Sequence, residues 1–156
     1  MAHDAYAGGQ AFVSTTVQGA DLLLAGFEAL TWTEIKPIVS QPGLGVTFAA
    51  VEQTYISPAT TQTKAGSAKV NGGDLVCGNI TDDPGQVILE TMANARASRA
   101  FKFVRNTTLT AGTETDEILY TRGVVLSYGD EGGGADDVIT AKYVMAFNQI
   151  PVRDVA

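Results

Sequence analysis

The chain has 156 residues, of which 45% are hydrophobic and 17% charged, and its formal net charge is −7. This length fits one domain with its own core, and the hydrophobic content excludes an intrinsically disordered protein. The single cysteine excludes an intramolecular disulfide, and the single histidine excludes histidine-rich zinc sites and a well-placed Ser-His-Asp triad. The longest apolar run, residues 22–27, is too short for a membrane span. The N-terminus lacks the basic start of a secretory signal. We therefore expect neither a membrane span nor a signal peptide.

The charges are unevenly distributed along the chain. Segment 106–137 holds seven acids and one base, whereas segment 96–105 holds four bases (Arg96, Arg99, Lys102 and Arg105) and no acid. An acidic total argues against a dedicated nucleic-acid binder and suits a surface that repels a polyanion. The simpler interpretation, that both clusters are solvated loops and a helix end, stays open.

The first half of the chain predicts strands separated by polar segments. Residues 1–20 are small and polar, so we predict an extended N-terminal arm. Residues 29–39 alternate apolar and polar side chains around Trp32, and residues 46–56 are rich in β-branched and aromatic residues, so both segments are predicted strands. Residues 57–73 contain almost nothing to bury and are predicted to form a long polar loop. A short strand is expected over 74–80.

Residues 82–97 are predicted to form the only substantial helix. Asp82 or Asp83 can cap its first turn, and Pro84 suits the first helical position. Helical spacing places Val87, Ile88, Met92 and Ala95 on the buried face.

The last third predicts a β-rich region. Strands are expected over 100–105, 118–127 and 138–147, with a Thr-rich acidic loop over 106–117. The last two strands form a hairpin around a flexible acidic tip at 128–137, and residues 148–156 form a C-terminal arm. The predicted domain spans 21–147. The fold class is therefore α+β and mainly β: an antiparallel β-sandwich or barrel with one flanking helix, a long loop and terminal arms.

The sequence contains few candidates for catalysis or metal binding. Cys77 lies in a strand pattern and is interpreted as a buried, inert thiol rather than a nucleophile. Asp82 and Asp83 are better explained by helix capping than by acid–base chemistry. The acidic tip could bind calcium, but it lacks the ligand spacing of an EF-hand, so a solvated hairpin tip is favoured. We expect no catalytic residues, no metal and no cofactor.

The order of these elements resembles the tail tube (major tail) proteins of long-tailed bacteriophages. The resemblance covers roughly residues 28–147. It rests on Leu30-Thr-Trp-Thr-Glu-Ile35, the polar loop 57–73, the helix opened by Asp83-Pro84-Gly85-Gln86, the strand Phe101-Lys-Phe103, and the two strands around the acidic tip. It is a pattern of elements and spacings rather than a diagnostic motif.

The resemblance implies a structural, non-enzymatic subunit of the virion tail, made in the host cytoplasm. Such subunits form hexameric rings that stack into a hollow tube through which DNA is ejected. The implied partners are other copies of the chain, the tape measure, terminator and baseplate proteins, and DNA in transient, non-specific passage, with no membrane. By the same correspondence the inter-subunit contact residues are Thr60, Thr61, Gln62, Thr63 and Lys64. We further expect Glu52, Gln53, Thr140 and Lys142 to face the channel, although the alternation over 46–56 does not fix which of its residues do so.

Two other classes of function remain open at this point. One is a related ring-forming part of a virion or secretion apparatus, such as a tail terminator or the inner tube of a secretion system. The other is a soluble ligand-binding β-barrel or an enzyme, which would show a concave pocket with converging polar groups. DNA binding by the bases of segment 96–105 is a variant of the second class and would depend steeply on salt.

Overall fold

The computed structural model describes residues 3–57, 59–108 and 114–155. Its elements, in chain order, are β1 (His3–Val17), α1 (Leu24–Glu28), β2 (Trp32–Ile35), β3 (Ile38–Ser40), β4 (Val46–Tyr55), β5 (Thr60–Val70), β6 (Gly73–Gly78), α2 (Pro84–Ala95), β7 (Arg99–Thr108), β8 (Glu114–Glu131), β9 (Thr140–Phe147) and β10 (Val152–Val155).

Eight of the strands form one antiparallel sheet. Its order is β2-β1-β7-β8-β9-β6-β3, with β10 paired to β8, while β4 and β5 pair only with each other. The two end strands, β2 and β3, are consecutive in the chain and separated by Lys36 and Pro37. The sheet is therefore curled, so that its two end strands lie close enough to be joined by two residues. Among the described residues, no ladder of hydrogen bonds pairs β2 with β3 to close the sheet. The predicted fold class, α+β and mainly β, is confirmed.

The long strand β8 joins the two halves of this sheet. Residues 114–123 of β8 pair with β7, and residues 123–131 pair with β9. The segment predicted as an acidic loop over 106–117 is therefore partly strand, because β7 continues to Thr108 and β8 begins at Glu114. The rest of that segment, residues 109–113, lies outside the described residues.

The main core lies inside the curled sheet, against α2. Alternation in β9 is the clearest sequence signal for it: Ala141, Tyr143, Met145 and Phe147 are buried while the intervening residues are half-buried. Buried side chains from β1, β6 and β7 complete this core; among them are Val13, Leu75, Cys77, Phe101 and Phe103. The strand predicted over 138–147 thus begins two residues later, at Thr140, and Ile139, which precedes it, is 61% exposed.

Helix α2 begins as the sequence predicts, but only part of its predicted buried face is confirmed: Met92 is buried and Ile88 packs against the core, whereas Val87 and Ala95 are exposed. Asp83 caps it by accepting a hydrogen bond from the backbone N–H of Gln86 at 3.2 Å. The buried residues are Gly85, Gln86, Leu89 and Met92, whereas Val87 is 45% exposed. A Cβ atom at Gly85 would lie 2.5 Å from the carbonyl oxygen of Glu34, so only glycine allows this close approach of the helix to β2.

The segment predicted as an N-terminal arm is a strand of the main sheet. Strand β1 pairs with β2 on one side and with β7 on the other. Ala11 and Val13 are completely buried. The prediction of extended backbone is confirmed, but the second half of the segment belongs to the core because its few apolar residues alternate.

The C-terminal segment is also attached to the body. β10 pairs with β8 through Val152↔Tyr120 and Val155↔Glu117. The side-chain amide of Gln149 forms two hydrogen bonds with the backbone of Leu22, at 2.6 and 3.2 Å. Residues 152–155 of the arm predicted over 148–156 therefore form an edge strand of the main sheet.

A short helix that the sequence analysis missed, α1, covers the outer face of β7 and β8. Phe27 on this helix is completely buried and stacks on Tyr120, with ring centroids 5.3 Å apart. Trp32 donates a hydrogen bond to the carbonyl oxygen of Phe27 at 3.2 Å and packs against the same cluster. These contacts form a second, smaller core on the opposite face of the sheet.

Candidate assembly surface

The hairpin of β4 and β5, residues 46–70, is exposed along almost its whole length. Strand β4 spans ten residues and is therefore about 33 Å long. All its residues after Val46 are exposed, as are those of β5 apart from Gly66 and Val70. The segment predicted as a polar loop over 57–73 is thus mostly strand. An isolated two-stranded hairpin is at best marginally stable in water, so this hairpin requires further contacts to be held firmly.

The register of the hairpin gives its two faces different chemistry. Cross-strand partners share a face, and successive residues alternate between faces. The lysine face carries Thr47, Ala49, Val51, Gln53, Tyr55, Thr60, Gln62, Lys64 and Lys69; the alanine face carries Val46, Phe48, Ala50, Glu52, Thr54, Thr61, Thr63, Ala65, Ala68 and Val70. The lysine face has two bases and no acid, whereas Glu52 is the only charged residue of the alanine face.

This register separates residues that the sequence analysis grouped together. Glu52 and Gln53 lie on opposite faces, with partners Thr63 and Gln62 respectively. The predicted contact segment from Thr60 to Lys64 alternates in the same way. The pair Glu52 and Gln53 and the segment Thr60 to Lys64 are therefore each divided between the lysine face and the alanine face.

Strands β6, β9 and β8 present a second uncovered surface on their outer side. Thr140 and Lys142 lie there, and both are half-buried. The Nζ atom of Lys142 is 3.3 Å from a carboxylate oxygen of Asp74, and the hydroxyl of Thr140 donates to Glu131 at 3.2 Å. The charge of Lys142 is thus offset within the subunit. We call this surface the outer β9 face.

The acidic tip predicted over 128–137 lies at the end of the β8–β9 hairpin, and the exposed segment continues to Ile139, so we use the name acidic tip for residues 128–139 from here on. It contains Asp130, Glu131, Asp136 and Asp137 and no base. Residues of the tip line an open depression of about 510 Å³. Val138 is 81% exposed beside it. Strand β8 continues to Glu131, so only the second part of the predicted tip is non-strand.

The four bases of segment 96–105 do not form one patch. Arg96 ends α2 in a left-handed conformation, with φ of 55°. Arg99 donates to the carbonyl oxygen of Ser14 at 3.0 Å, and Lys102 lies 4.8 Å from the centroid of the Phe12 ring. Arg105 lines a depression of about 410 Å³ beside Arg153. Their arrangement gives no continuous track for a phosphate backbone.

The remaining chemical candidates have structural roles. Cys77 is completely buried, and desolvation, with a smaller contribution from Asp83, raises the pKa of its thiol to about 12. The prediction that this thiol is buried is confirmed. Within the described ranges, no group of three or more metal-ligating side chains is placed to hold an ion. No helix there is long and apolar enough to cross a membrane.

Comparisons with known proteins rest on structure, because neither a protein-family model nor a curated sequence matches the chain. The SPP1 tail tube protein superposes with a TM-score of 0.61 at 11% identity, covering 95% of this chain and 77% of that one. A chain of the PVC extracellular contractile injection system, from its sheath–tube complex, gives 0.60 at 12%, covering 95% and 88%. A chain of the anti-feeding prophage baseplate gives 0.60 at 8%, covering 95% and 91%.

The fold is that of a tail tube protein. The likeness extends over 95% of the chain in each of these superpositions. At these identities it establishes the tube fold and leaves the roles of individual residues to be argued from this structure. The hairpin was missed because its second strand is built from Thr, Ala, Gly and Lys. The one available signal was the run of β-branched threonines at 60, 61 and 63.

Proposed function

We propose that this protein is the structural subunit of a hollow tube, built from stacked hexameric rings, through which DNA passes during ejection from a virion. The observation that carries the proposal is the exposed hairpin on a body with the tube fold. A soluble monomer gains nothing from a two-stranded projection about 33 Å long, whereas a subunit that must grip its neighbours does. The baseplate neighbour was described with sixfold symmetry, which supports a hexameric ring here.

The hairpin is the part of the subunit that we assign to inter-subunit contact. Thr60 to Lys64 form its outer end, where β5 leaves the turn. Thr60, Gln62 and Lys64 belong to the lysine face, and Thr61 and Thr63 belong to the alanine face with Glu52. A hairpin lying between neighbours would use both faces, so all five residues can serve in contacts.

The channel lining is assigned to the outer β9 face. Thr140 and Lys142 lie on it, and Asp74 and Glu131 flank them. These four residues carry two acids and one base, so the surface keeps a small negative charge that disfavours adhesion of a polyanion. Glu52 and Gln53 cannot both face the channel from the hairpin, since they point to opposite sides. Glu52, as the acid, is the better candidate of the two.

The same fold occurs in contractile injection particles, so a secretion or injection tube is the second candidate function. The two functions differ in cargo rather than in subunit architecture. Partners of either tube include proteins at its ends, such as a baseplate, a terminator and a tape measure. The structural neighbours are particle components rather than enzymes, which supports a non-enzymatic role. The two depressions described above are open to solvent rather than enclosed, which gives little support to a ligand-binding barrel.

The proposal is tested by shortening the hairpin without disturbing the body. Phe48 and Ala68 are cross-strand partners, so residues 49–67 can be replaced by Asn-Gly, which favours a tight two-residue turn. We expect the shortened protein to keep its circular dichroism spectrum and cooperative unfolding but to remain monomeric by sedimentation velocity, while the full chain forms rings and tubes. Assembly of the shortened protein at the same concentration as the full chain would refute the role of the hairpin.

A further inference from the structure

We infer that the lysine face of the hairpin docks on the acidic tip of a second copy of this chain. This inference rests on the proposed function, because it names the partner surface in the assembled tube. Two observations support it: the lysine face and the acidic tip carry opposite charges, and both surfaces expose apolar side chains.

The hairpin is positive on an otherwise negative protein. Residues 46–70 contain Lys64, Lys69 and Glu52, so their net charge is +1. Because the whole chain has a net charge of −7, the remaining residues have a net charge of −8. Two copies therefore repel each other in most orientations. The orientation that places the lysine face against an acidic surface removes this repulsion and steers the encounter.

Neither lysine of this face forms an ion pair with another described residue. The ion pairs found among the described residues involve other bases, namely Lys36, Arg122, Lys142 and Arg153. Val51 and Tyr55 share the face and are 55% and 42% exposed. The lysine face thus combines available positive charge with apolar surface, the composition expected of a contact surface.

The acidic tip has the complementary composition. The carboxylates of Asp130, Glu131 and Asp137 line a depression of about 510 Å³, and Asp136 adds a fourth acid to the same segment. Val138 and Ile139 line the same depression and are 81% and 61% exposed. The tip therefore offers both the opposite charge and apolar surface for Val51 and Tyr55.

A contact between two different surfaces of one subunit is heterologous, and repeating it generates a closed ring or a helical stack. Hairpin-to-tip docking thus produces the kind of assembly that a tube requires. A self-complementary contact would instead end at a dimer.

The test is a charge-exchange experiment on the full chain, read by sedimentation and electron microscopy at about 0.1 M salt. One variant carries Lys64→Glu and Lys69→Glu, and a second carries Asp130→Lys and Asp136→Lys. The second variant leaves untouched the hydrogen bonds of Glu131 with Thr140 and of Asp137 with Gly134. We expect each variant to need at least a tenfold higher protein concentration to assemble, and the combination of all four substitutions to restore assembly.

A matched control separates this docking from a general effect of net charge. Lys36→Glu with Arg96→Glu changes the net charge by the same amount as the hairpin variant, on exposed residues outside both surfaces. We expect this control to assemble like the unmodified chain. Circular dichroism and urea unfolding identify any variant that is not folded.

The inference is overturned if the hairpin or tip variant assembles at the concentration of the unmodified chain, or if the combined variant does not recover. In either case the lysine face does not dock on the acidic tip of a second copy. These outcomes leave the proposed function intact as long as the unmodified chain forms tubes. Failure of the unmodified chain to form them refutes the proposed function itself.

Discussion

Replacing Gln86 by leucine tests how α2 is fixed to the sheet. Gln86 is 3% exposed. Its Nε2 donates to the carbonyl oxygens of Lys36 and Gly78, at 2.6 and 2.8 Å, and its Oε1 accepts from the N–H of Ile80 at 3.3 Å. One side chain thus forms hydrogen bonds with three backbone groups: one in the connection between β2 and β3, and two near the end of β6, just before α2.

The expected cost follows from how accessible each of these groups is to water. The carbonyl of Gly78 is buried, and leaving such a group unpaired costs about 1–3 kcal/mol. The groups of Lys36 and Ile80 are only partly buried, so water can replace the lost bonds and each loss costs about 0.5–1 kcal/mol. The free energy of unfolding should therefore fall by about 2–5 kcal/mol.

The assay is urea unfolding followed by circular dichroism at a concentration where the protein is monomeric. Gln62→Leu is the matched control, because it makes the same chemical change on an exposed strand and should alter the free energy of unfolding by less than about 0.5 kcal/mol. A loss below about 1 kcal/mol for Gln86→Leu, with an unchanged dependence on urea, would show that these hydrogen bonds do not hold the helix as we argue.

Two further predictions concern the helix face and the buried ionisable groups. Leu89→Ala should lower the free energy of unfolding by about 2–5 kcal/mol and Val87→Ala by less than about 1 kcal/mol, since Leu89 is fully buried and Val87 is 45% exposed; equal losses would contradict the helix orientation. Burial raises the pKa of Cys77 to about 12 and also raises the pKa values of Tyr120 and Tyr143. These groups stay protonated in the folded state while the unfolded chain releases its protons, so stability should fall as the pH rises above about 9. For Cys77 the loss is at most about 1.4 kcal/mol per pH unit, and Cys77→Ala should flatten the decline. An identical decline in urea unfolding of both proteins would refute this role of the thiol.

Much of the fold could be predicted from sequence because alternation and capping are local signals. The buried residues of β9 follow from period-2 alternation, and the start of α2 follows from Asp83 and Pro84. The helix face could not be predicted in the same way. Gln86 is buried because distant backbone groups satisfy it, and Gly85 is buried because β2 approaches it closely. Both reasons are contacts with residues distant in sequence, so the hydrophobic periodicity of the helix does not reveal them.

The terminal strands and the hairpin show where composition misleads. Strand β1 contains few apolar residues, yet Ala11 and Val13 are enough to place it in the core once β7 pairs with it. Strand β5 has no buried face to leave a pattern, so its threonines and alanines resemble a loop. The sequence could suggest residues 60–64 as contacts only through family resemblance. Their division between two faces depends on a register that only the structure provides.

The measurement that tests the central claim most directly is negative-stain electron microscopy of the purified full chain over a wide concentration series. The tube proposal predicts hollow tubes with a regular axial repeat and sixfold end views, appearing above a threshold concentration. A uniform field of small monomers at every concentration in the series would contradict it and would direct attention to the open depressions of the monomer as ligand sites.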